Sequence, residues 1–262
     1  MKAIFSDIDG TLINKHFQVT ERTKIAIWQA VKKGMHFIPV SARMPEAIIP
    51  IMDSIGIVTP VISYNGALIQ DQDKEIIASN TMETEIALAI CQFISDQYPQ
   101  IVWNVYSYHA WFSEDRQNDW IQREEAIVNV KSQESSLLQL EALESVHKVL
   151  LMGSPTIIGP LERELKRLYP SLSIAQSAPY LIEIMTEGIK KGHAVKVLSD
   201  HMGIALSETI AFGDNFNDLD MLETVGTGYV MGNGPKEVQN RIGNSTADHD
   251  HDGIAMVLEK YL

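Results

Sequence analysis

The segment Asp7–Thr11 reads Asp-Ile-Asp-Gly-Thr and directly follows the short apolar run Ala3–Phe5. This order is typical of a buried strand that ends in an active-site loop. Two carboxylates two positions apart can divide the work of phosphoryl transfer, because one can attack phosphorus while the other moves a proton. Gly10 lets the backbone turn closely around a phosphate, since it has no Cβ to forbid positive φ. The alternative is a surface turn, because Asp and Gly are common turn formers.

Length and charge limit what such a chain can do. At 262 residues it can form one large domain or two modest ones. It carries 21 basic and 34 acidic residues, a net charge of −13, which disfavours a nucleic-acid partner. A small phosphorylated ligand is compatible with this charge, because a few local cations and a metal can hold it. No apolar run is long enough to span a membrane and no leader precedes the first strand, so we expect a cytoplasmic protein without a membrane partner.

The beginning of the chain, up to about Ala67, alternates short apolar runs with helical patterns. This rhythm predicts a parallel sheet with helical connections. We expect Thr20 to cap the first helix. That helix carries Ile25, Trp28 and Val31 on one side and ends at Gly34. The next predicted elements are a buried strand over Met35–Val40, a helix from Pro45 to near Gly56, and a strand around Val61–Ser63.

The same rhythm returns near the end of the chain, whereas the middle differs. The predicted elements near the end are a helix over Ala194–Met202, a strand over Thr209–Phe212, a helix from Asn217 and a strand near Tyr229. In the middle, Ile101–Tyr108 alternates apolar and polar residues, which suits a half-exposed antiparallel strand. We therefore predict a doubly wound α/β core of residues 1–80 and 185–262, interrupted by an α+β cap domain of residues 81–184. The two joins should act as hinges, with the insert as a lid.

Polar residues follow each predicted strand of the core. In doubly wound sheets ligands bind beyond the carboxyl ends of the strands, so these positions are expected to converge on a site. The residues are Asp7 and Asp9 after the first strand, Ser41, Ala42 and Arg43 after the second, Asn65 and Gly66 after the third, and Gly213–Asp218 after the strand at Ile210.

The acidic members of this set indicate a metal ion. Their carboxylates are those of Asp7, Asp9, Asp214 and Asp218. Brought together unassisted, these groups would repel one another. Mg²⁺ is the expected ion, because it prefers oxygen ligands and typically takes one or two carboxylates together with a phosphate oxygen. No Cys or His pairing at zinc spacing lies near these positions, which argues against a zinc site.

One hydroxyl and one ammonium complete the predicted site. Ser41 could bind a phosphate oxygen through its hydroxyl and its backbone, and it could also simply begin the next loop. Lys190 and Lys191 precede Gly192 and a helix. One of these lysines could neutralise the charge of the nucleophile and the phosphate, since this chemistry depends largely on electrostatic positioning. The alternative for both lysines is a solvated basic pair.

Together these residues resemble the four motifs of the haloacid dehalogenase-like superfamily. In order, the motifs are Asp7–Thr11, Ser41, Lys191–Gly192 and Gly213–Asp218. The insert between the second and third motifs resembles that of the Cof-type sugar-phosphatase branch, which carries a large α/β cap. The chain departs from the family in having Ser41-Ala42-Arg43 where Thr-Gly-Arg is common. Of the two lysines we choose Lys191, because it directly precedes Gly192.

The resemblance implies a Rossmann-like core and a role for each motif residue. Asp7 would be the nucleophile and Asp9 the general acid and base. Mg²⁺ would be held by Asp7, Asp9 and Asp214, with Asp9 contributing its carboxylate or its backbone carbonyl. Asp218 would orient these ligands from behind. The expected phosphate- and substrate-binding residues are Ile8, Ser41, Ala42, Arg43, Asn65, Gly66, Lys191 and Asn217.

Other candidates lie outside these motifs. The run Asp248–Asp252 could bind a second metal, but it precedes an apolar helical pattern, and favourable charge at that helix N-terminus is the preferred interpretation. Tyr106, Trp111 and Trp120 could line a sugar-binding face, and packing within the cap is preferred for them. Cys91, the only cysteine, is expected to be buried.

These features predict a Mg²⁺-dependent phosphatase that acts on a small phosphorylated metabolite, such as a sugar phosphate, through an aspartyl-phosphate intermediate. A sugar phosphomutase similar to phosphomannomutase would share the core and the cap type, and the sequence leaves this choice open. A non-catalytic sugar-phosphate sensor has no need of Asp7 and Asp9 together, and a dehalogenase has little use for Asp9. A monomer and a homodimer are both compatible with the sequence.

Overall fold

Strands from the two ends of the chain pair in one parallel sheet in the computed structural model, which describes residues 1–262. The chain divides into a first unit of residues Met1–Ser79 and Lys190–Leu262 and a second unit of residues Asn80–Ile189. In chain order the strands are β1 (Ala3–Ser6), β2 (His36–Pro39), β3 (Val61–Ser63), β4 (Leu68–Gln70), β5 (Ile76–Ser79), β6 (Val102–Ser107), β7 (Ala110–Ser113), β8 (Gln133–Glu134), β9 (Lys148–Met152), β10 (Leu172–Ala178), β11 (Leu181–Thr186), β12 (Thr209–Gly213) and β13 (Thr227–Val230). The helices are α1 (Glu21–Lys32), α2 (Pro45–Ile55), α3 (Thr84–Gln97), α4 (Asp119–Val128), α5 (Leu137–Leu140), α6 (Pro155–Leu168), α7 (Lys191–His201), α8 (Leu219–Thr224), α9 (Lys236–Ile242) and α10 (Gly253–Leu258). None of these helices has both the length and the apolar composition needed to cross a bilayer.

The first unit is organised by a four-stranded parallel sheet of order β13-β12-β1-β2. Ser6 at the end of β1 is level with Phe212 of β12 and with Pro39 of β2. The carboxyl ends of these strands therefore meet at one edge of the sheet. A single parallel bridge between Val40 and Ile62 links the segment after β2 to β3, which pairs antiparallel with β4 and, through β4, with β5.

Helices pack on both faces of the parallel sheet. Successive residues of β1 belong to different core clusters, because neighbouring side chains of a strand point to opposite faces. Ile4 lies in the cluster that contains Ile27 of α1, whereas Phe5 lies in the cluster that contains Val195 of α7 and Met221 of α8. The doubly wound α/β core predicted from the sequence is confirmed.

The first two helices begin as the sequence predicts, but α1 buries a different side. The Thr20 side chain accepts a hydrogen bond from the Thr23 N–H at the start of α1. The buried face of α1 includes Ala26, Ile27 and Ala30, whereas Ile25 is 55% exposed and Trp28 45% exposed. The predicted apolar side was therefore wrong for Ile25 and Trp28, because the small Ala26 and Ala30 share the core face with Ile27, whereas Val31 packs partly against the core. The Trp28 ring is instead covered by the Lys32 ammonium, 4.0 Å from its centroid.

The second unit contains a six-stranded sheet of order β10-β11-β9-β6-β7-β8, antiparallel except for the β7–β8 pair. All residues of β6 are buried, so the prediction of a half-exposed strand was wrong. The reason is that Asn104 finds partners inside: its Oδ1 accepts from Trp111 Nε1 at 2.8 Å and its Nδ2 donates to the Leu150 carbonyl at 3.3 Å. The last strand, β11, runs to Thr186 and so passes the predicted end of the insert at Ile184.

The aromatic residues and the cysteine of the second unit take part in packing. Trp111 is buried and stacks on Tyr106 with ring centroids 5.4 Å apart. Trp120 stacks on Tyr180 at 5.4 Å. Cys91 is buried in α3, as predicted, and this burial raises the pKa of its thiol.

Candidate active site

Asp7 lies directly beyond the end of β1, where its backbone N–H donates to the Phe212 carbonyl at 3.0 Å. The residue is 6% exposed. Its Oδ1 accepts a hydrogen bond from Lys191 Nζ at 2.5 Å, and its other carboxylate oxygen accepts none. Burial raises the pKa of the Asp7 carboxyl well above its ordinary value, although the Lys191 ammonium opposes this shift. The site thus contains a buried carboxylate with one oxygen unengaged.

Lys191 is the first residue of α7. This helix therefore starts earlier in the chain than the predicted start at Ala194. Its ammonium lies between two carboxylates, 2.5 Å from Asp7 Oδ1 and 2.6 Å from Asp218 Oδ1. Burial alone would lower the pKa of Lys191, but the charges of Asp218 and Asp7 raise it, so the ammonium form persists. Lys190 is exposed. Of the two lysines considered, Lys191 is the one that reaches the strand ends.

Gly192 explains how α7 can begin so close to the site. A Cβ at this position would lie 2.4 Å from the Asp220 carbonyl oxygen, so only glycine fits without a shift. The Gly192 N–H also donates to Asp220 Oδ2 at 2.7 Å. These two contacts fix the start of α7 against α8 and thereby position Lys191.

Asp214 and Asp218 follow β12 but have different surroundings. Asp218 is fully buried, and its Oδ2 accepts from the backbone N–H groups of Asp214 at 2.9 Å and Asn215 at 3.0 Å. These bonds belong to a 3₁₀ turn over Phe216–Asp218, so the helix predicted from Asn217 starts only at Leu219. The Asp214 Oδ1 accepts from Thr11 Oγ1 at 3.0 Å. Burial, followed by the charge of Asp218, raises the pKa of Asp214 to about 6.

Three carboxylates of this edge could hold a cation. Ligand oxygens of Asp7, Asp214 and Asp218 all lie within 4.8 Å of one another. One ammonium faces this group, so negative charge is in excess, and an all-oxygen donor set suits a hard divalent ion. Both oxygens of Asp218 already have fixed partners. Asp7 and Asp214 are therefore the side chains best able to ligate a cation here.

Asp9 differs from the predicted metal set, because its carboxylate lies outside this cluster. It is 51% exposed and forms a two-point ion pair with Arg43, with Oδ1 2.6 Å from Nη2 and Oδ2 2.8 Å from Nε. The Arg43 side chain is only 9% exposed. In this arrangement the Asp9 carboxylate is held by Arg43 and does not belong to the group of oxygens that could hold a cation.

The segments after β2 and β3 are joined through Ser41. The Asn65 N–H donates to the Ser41 carbonyl at 2.8 Å. The Ser41 N–H donates to the Ile62 carbonyl at 2.9 Å, so the predicted backbone contact of Ser41 with phosphate is not available and only its hydroxyl can donate. A Cβ at Gly66 would lie 2.8 Å from the Ala194 Cβ, so this glycine permits close packing against α7.

The remaining predicted binding residues differ in which of their atoms can face a ligand. The Ile8 side chain is buried in a core cluster, so only its backbone can face a ligand. Ala42 is half-buried, directly after Ser41. Asn217 is exposed on the 3₁₀ turn. Ile8 and Asn217 thus lie on the segments that carry Asp7 and Asp218, whereas Ala42 lies on the segment after β2.

Two polar contacts of the site were missed at the level of sequence. Thr11 belongs to the first motif and donates to Asp214, a contact that the motif itself does not specify. Asn233 follows β13 and donates through Nδ2 to the Gly10 carbonyl at 2.9 Å. The sequence signal for Asn233 is its place between Gly232 and Gly234, directly after a predicted strand. Ligands of such sheets bind beyond the carboxyl ends of the strands, and this strand-end rule applies to Asn233 as it does to Asp7 and Asp214.

The acidic and histidine-rich run Asp248–Asp252 forms a turn before α10. Asp248 Oδ1 accepts from the Asp250 N–H at 2.9 Å and contacts His251 Nδ1 at 2.6 Å. Asp252 is the N-cap residue of α10, yet its side chain makes no capping hydrogen bond and instead accepts from Thr20 Oγ1 at 2.5 Å. The run thus lies at the helix N-terminus, as expected, but ties that helix to α1 rather than capping it by a hydrogen bond.

Comparison with known proteins gives a consistent result. A family described as haloacid dehalogenase-like hydrolase matches residues 4–258 of the chain. A candidate phosphatase of Haemophilus influenzae is 36% identical over 259 residues, which cover 99% of this chain and 97% of that protein. A solved haloacid dehalogenase-like hydrolase from Bacteroides thetaiotaomicron has a TM-score of 0.92 at 26% identity, over 100% of this chain and 99% of that one. The subclass IIB sugar phosphatase BT4131 has the same fold, with a TM-score of 0.84 at 23% identity over 100% and 99% of the two chains.

Proposed function

This chain belongs to the haloacid dehalogenase-like hydrolase family, and from that premise we propose that it is a Mg²⁺-dependent phosphatase of a small phosphorylated metabolite. The observation that carries the proposal is the state of Asp7, a buried carboxylate whose Oδ1 is neutralised by Lys191 while its second oxygen is unengaged. A carboxylate held in this way is suited to attack phosphorus. The phosphatase relative from Haemophilus influenzae supports the same activity.

In the proposed reaction Asp7 is the nucleophile. Its free oxygen attacks phosphorus in line, the bond from phosphorus to the leaving oxygen breaks, and the departing alcohol takes a proton from Asp9. Water then attacks the phosphorus of the aspartyl-phosphate, Asp9 takes a proton of that water, and the bond from phosphorus to the Asp7 oxygen breaks, which releases phosphate and restores the Asp7 carboxylate. Lys191 offsets negative charge on Asp7 and on the transferred group throughout.

The ion pair between Asp9 and Arg43 suggests how Asp9 becomes able to carry a proton. While Arg43 donates to both oxygens of Asp9, neither oxygen is available to the leaving group. A guanidinium also binds phosphate oxygens by two parallel hydrogen bonds. We propose that substrate phosphate draws Arg43 away from Asp9, which leaves Asp9 free to act as the general acid.

Mg²⁺ fits the donor set of this site. Asp7, Asp214 and the backbone carbonyl of Asp9 would hold it, while Thr11 and Asp218 orient Asp214 and its backbone. When bound, the ion reduces the repulsion between the attacking carboxylate and the phosphate. The Ser41 hydroxyl and the Asn217 amide would donate to phosphate oxygens. The leaving group is proposed to be a sugar, on the resemblance of the insert to that of sugar phosphatases.

Phosphate release tests this proposal. A panel of sugar phosphates, nucleotides and cofactor phosphates is incubated with the protein in Mg²⁺ and in EDTA. Asp7→Asn is the test variant, and Asp53→Asn, which changes an exposed aspartate of α2, is the matched control. We expect metal-dependent release that Asp53→Asn retains and Asp7→Asn loses. Isomerisation of a sugar phosphate without release would instead identify a mutase, and binding without turnover would identify a sensor.

A further inference from the structure

The loop after β13 reaches the candidate site from the last part of the chain. It begins at Met231, whose N–H donates to the Gly213 carbonyl at 2.9 Å, and it contains Asn233. A Cβ at Gly234 would lie 2.5 Å from the Asp214 carbonyl oxygen. The lack of a side chain at Gly234 is therefore what lets this loop lie directly against Asp214.

Gly10 gives the same access from the other side of Asp214. Its φ is +79°, and a Cβ there would lie 2.7 Å from Asp214 Oδ2. Two loops, one after β1 and one after β13, thus approach a single aspartate at positions where each has glycine. Close approach of this kind leaves Asp214 little freedom to change position.

Asn233 joins these two loops with a side chain whose orientation is fixed. Its Oδ1 accepts from the His249 N–H at 3.3 Å, and its Nδ2 donates to the Gly10 carbonyl at 2.9 Å. Turning the amide over would place an N–H against an N–H and an oxygen against an oxygen, so only one orientation satisfies both bonds. In that orientation Nδ2 also lies 3.4 Å from Asp214 Oδ2.

The two oxygens of Asp214 are therefore each directed by a different donor. Thr11 Oγ1 donates to Oδ1 at 3.0 Å and Asn233 Nδ2 approaches Oδ2. A carboxylate oriented by outer donors presents its remaining lone pairs in a fixed direction, which is how such partners tune metal ligands. We infer that Asn233 is a positioning residue, which holds Asp214 and the Gly10 carbonyl segment in the arrangement that binds the divalent cation. The inference rests on the proposed function, since it assumes the Mg²⁺ site.

The contact between Asn233 and His249 gives a role to the acidic and histidine-rich run Asp248–Asp252. The turn closed by Asp248 presents the His249 N–H to Asn233. The backbone of this turn, rather than its carboxylates or imidazoles, thus contributes to the site. Asn233 is exposed, so truncating it opens no cavity in the core, and a loss of metal binding would report the lost hydrogen bonds.

The test measures metal binding directly in the full-length protein. Calorimetry gives the Mg²⁺ dissociation constant, and the electron paramagnetic resonance signal of free Mn²⁺ gives that of Mn²⁺. The variants are Asn233→Ala and Asn233→Ser, the second being a small polar replacement for the case in which the first does not fold. The matched control is Asn244→Ala, because Asn244 is also exposed and also donates its amide to a glycine carbonyl, that of Gly228 at 3.3 Å.

We expect both Asn233 variants to bind Mg²⁺ and Mn²⁺ about tenfold more weakly, while Asn244→Ala matches the wild type. At saturating Mg²⁺ the KM for substrate should return to the wild-type value, which a general structural defect would not allow. Unchanged dissociation constants in the Asn233 variants would overturn the inference while leaving the proposed function intact. A wild type that binds neither ion would instead overturn the proposed metal site itself, and this inference with it.

Discussion

Nζ of Lys191 lies 2.5 Å from Oδ1 of Asp7, although 184 positions separate the two residues in the chain. The parallel sheet places β12, which leads to Asp218, beside β1, which ends directly before Asp7, and Lys191 at the start of α7 extends its ammonium between these two aspartates. The ammonium contacts Asp7 and Asp218 at once and is itself 1% exposed. It therefore neutralises the proposed nucleophile without covering the oxygen that attacks.

Replacing Lys191 should abolish most of the activity. Lys191→Met keeps the length of the side chain but leaves two buried carboxylates with no cation between them. We expect kcat to fall by about 10²-fold or more, the loss typical for one preorganised electrostatic group. Phosphate release measures the effect, and Lys190→Met is the control because Lys190 is exposed. Equal losses in the two variants would contradict the role assigned to Lys191.

The strand-end rule explains how much of this site could be read from the sequence. Asp7, Ser41 and Asp214 follow predicted strands, and parallel strands bring their carboxyl ends to one edge. The motifs built from these residues predicted the family, which the comparisons confirm. Asn233 also follows a strand, but its role depends on the orientation of one amide relative to His249 and Gly10. No local pattern in a sequence specifies such an orientation.

Partners distant in the chain also explain the errors in the predicted elements. The alternation in β6 indicates a half-exposed strand, but Asn104 is buried because Trp111 and the Leu150 carbonyl satisfy its amide. The position of the Asp9 carboxylate depends on Arg43, which follows a different strand. Periodicity reports which residues share a face, whereas burial depends on what packs there.

Removing the carboxylate of Asp9 should separate the two steps of the proposed reaction. With a sugar phosphate, Asp9→Asn should lower kcat by about 10²- to 10⁴-fold, because the alkoxide must leave unprotonated. With p-nitrophenyl phosphate the leaving group needs no proton, so the first step should stay fast while hydrolysis of the aspartyl-phosphate becomes slow. Rapid mixing should then show a burst of nitrophenol equal to the enzyme concentration. Asp7→Asn should show no burst, and a burst in that variant would exclude Asp7 as the nucleophile.

Adding one methyl group at Gly192 should displace Lys191. A Cβ there would lie 2.4 Å from the Asp220 carbonyl oxygen, so Gly192→Ala forces α7 and α8 apart at an expected cost of about 1–3 kcal/mol. Phosphate release should fall together with the free energy of unfolding. The control is Gly159→Ala in α6, where the nearest atom to an added Cβ is Gln176 Oε1 at 3.8 Å. That variant should gain up to about 1 kcal/mol from helix propensity, and denaturant unfolding that ranks the two variants alike would refute the argument.

His147 is a buried, neutral histidine of the second unit. Its Nδ1 accepts a hydrogen bond from the Tyr108 N–H at 3.0 Å, which requires that this nitrogen carry no proton. Burial, and then the charge of His109, lower the pKa of His147 to about 4 from its ordinary value of 6.5. Protonation would set an N–H against an N–H inside the unit. Folding should therefore depend on pH through this residue.

The sign of that dependence follows from proton binding. Between pH 6.5 and about 4 the unfolded chain holds a proton on His147 that the folded chain lacks, so stability should fall as the pH falls through this window, by about 3 kcal/mol in all. His147→Asn keeps an acceptor near the Nδ1 position without titrating, and should remove this contribution, of which about 2 kcal/mol falls between pH 7 and 4.5. Urea unfolding at pH 4.5 and 7, followed by tryptophan fluorescence, measures it, since Trp103, Trp111 and Trp120 lie in this unit. His201→Asn, an exposed change in the other unit, is the control. Equal pH slopes in His147→Asn and the wild type would show that other groups control acid unfolding.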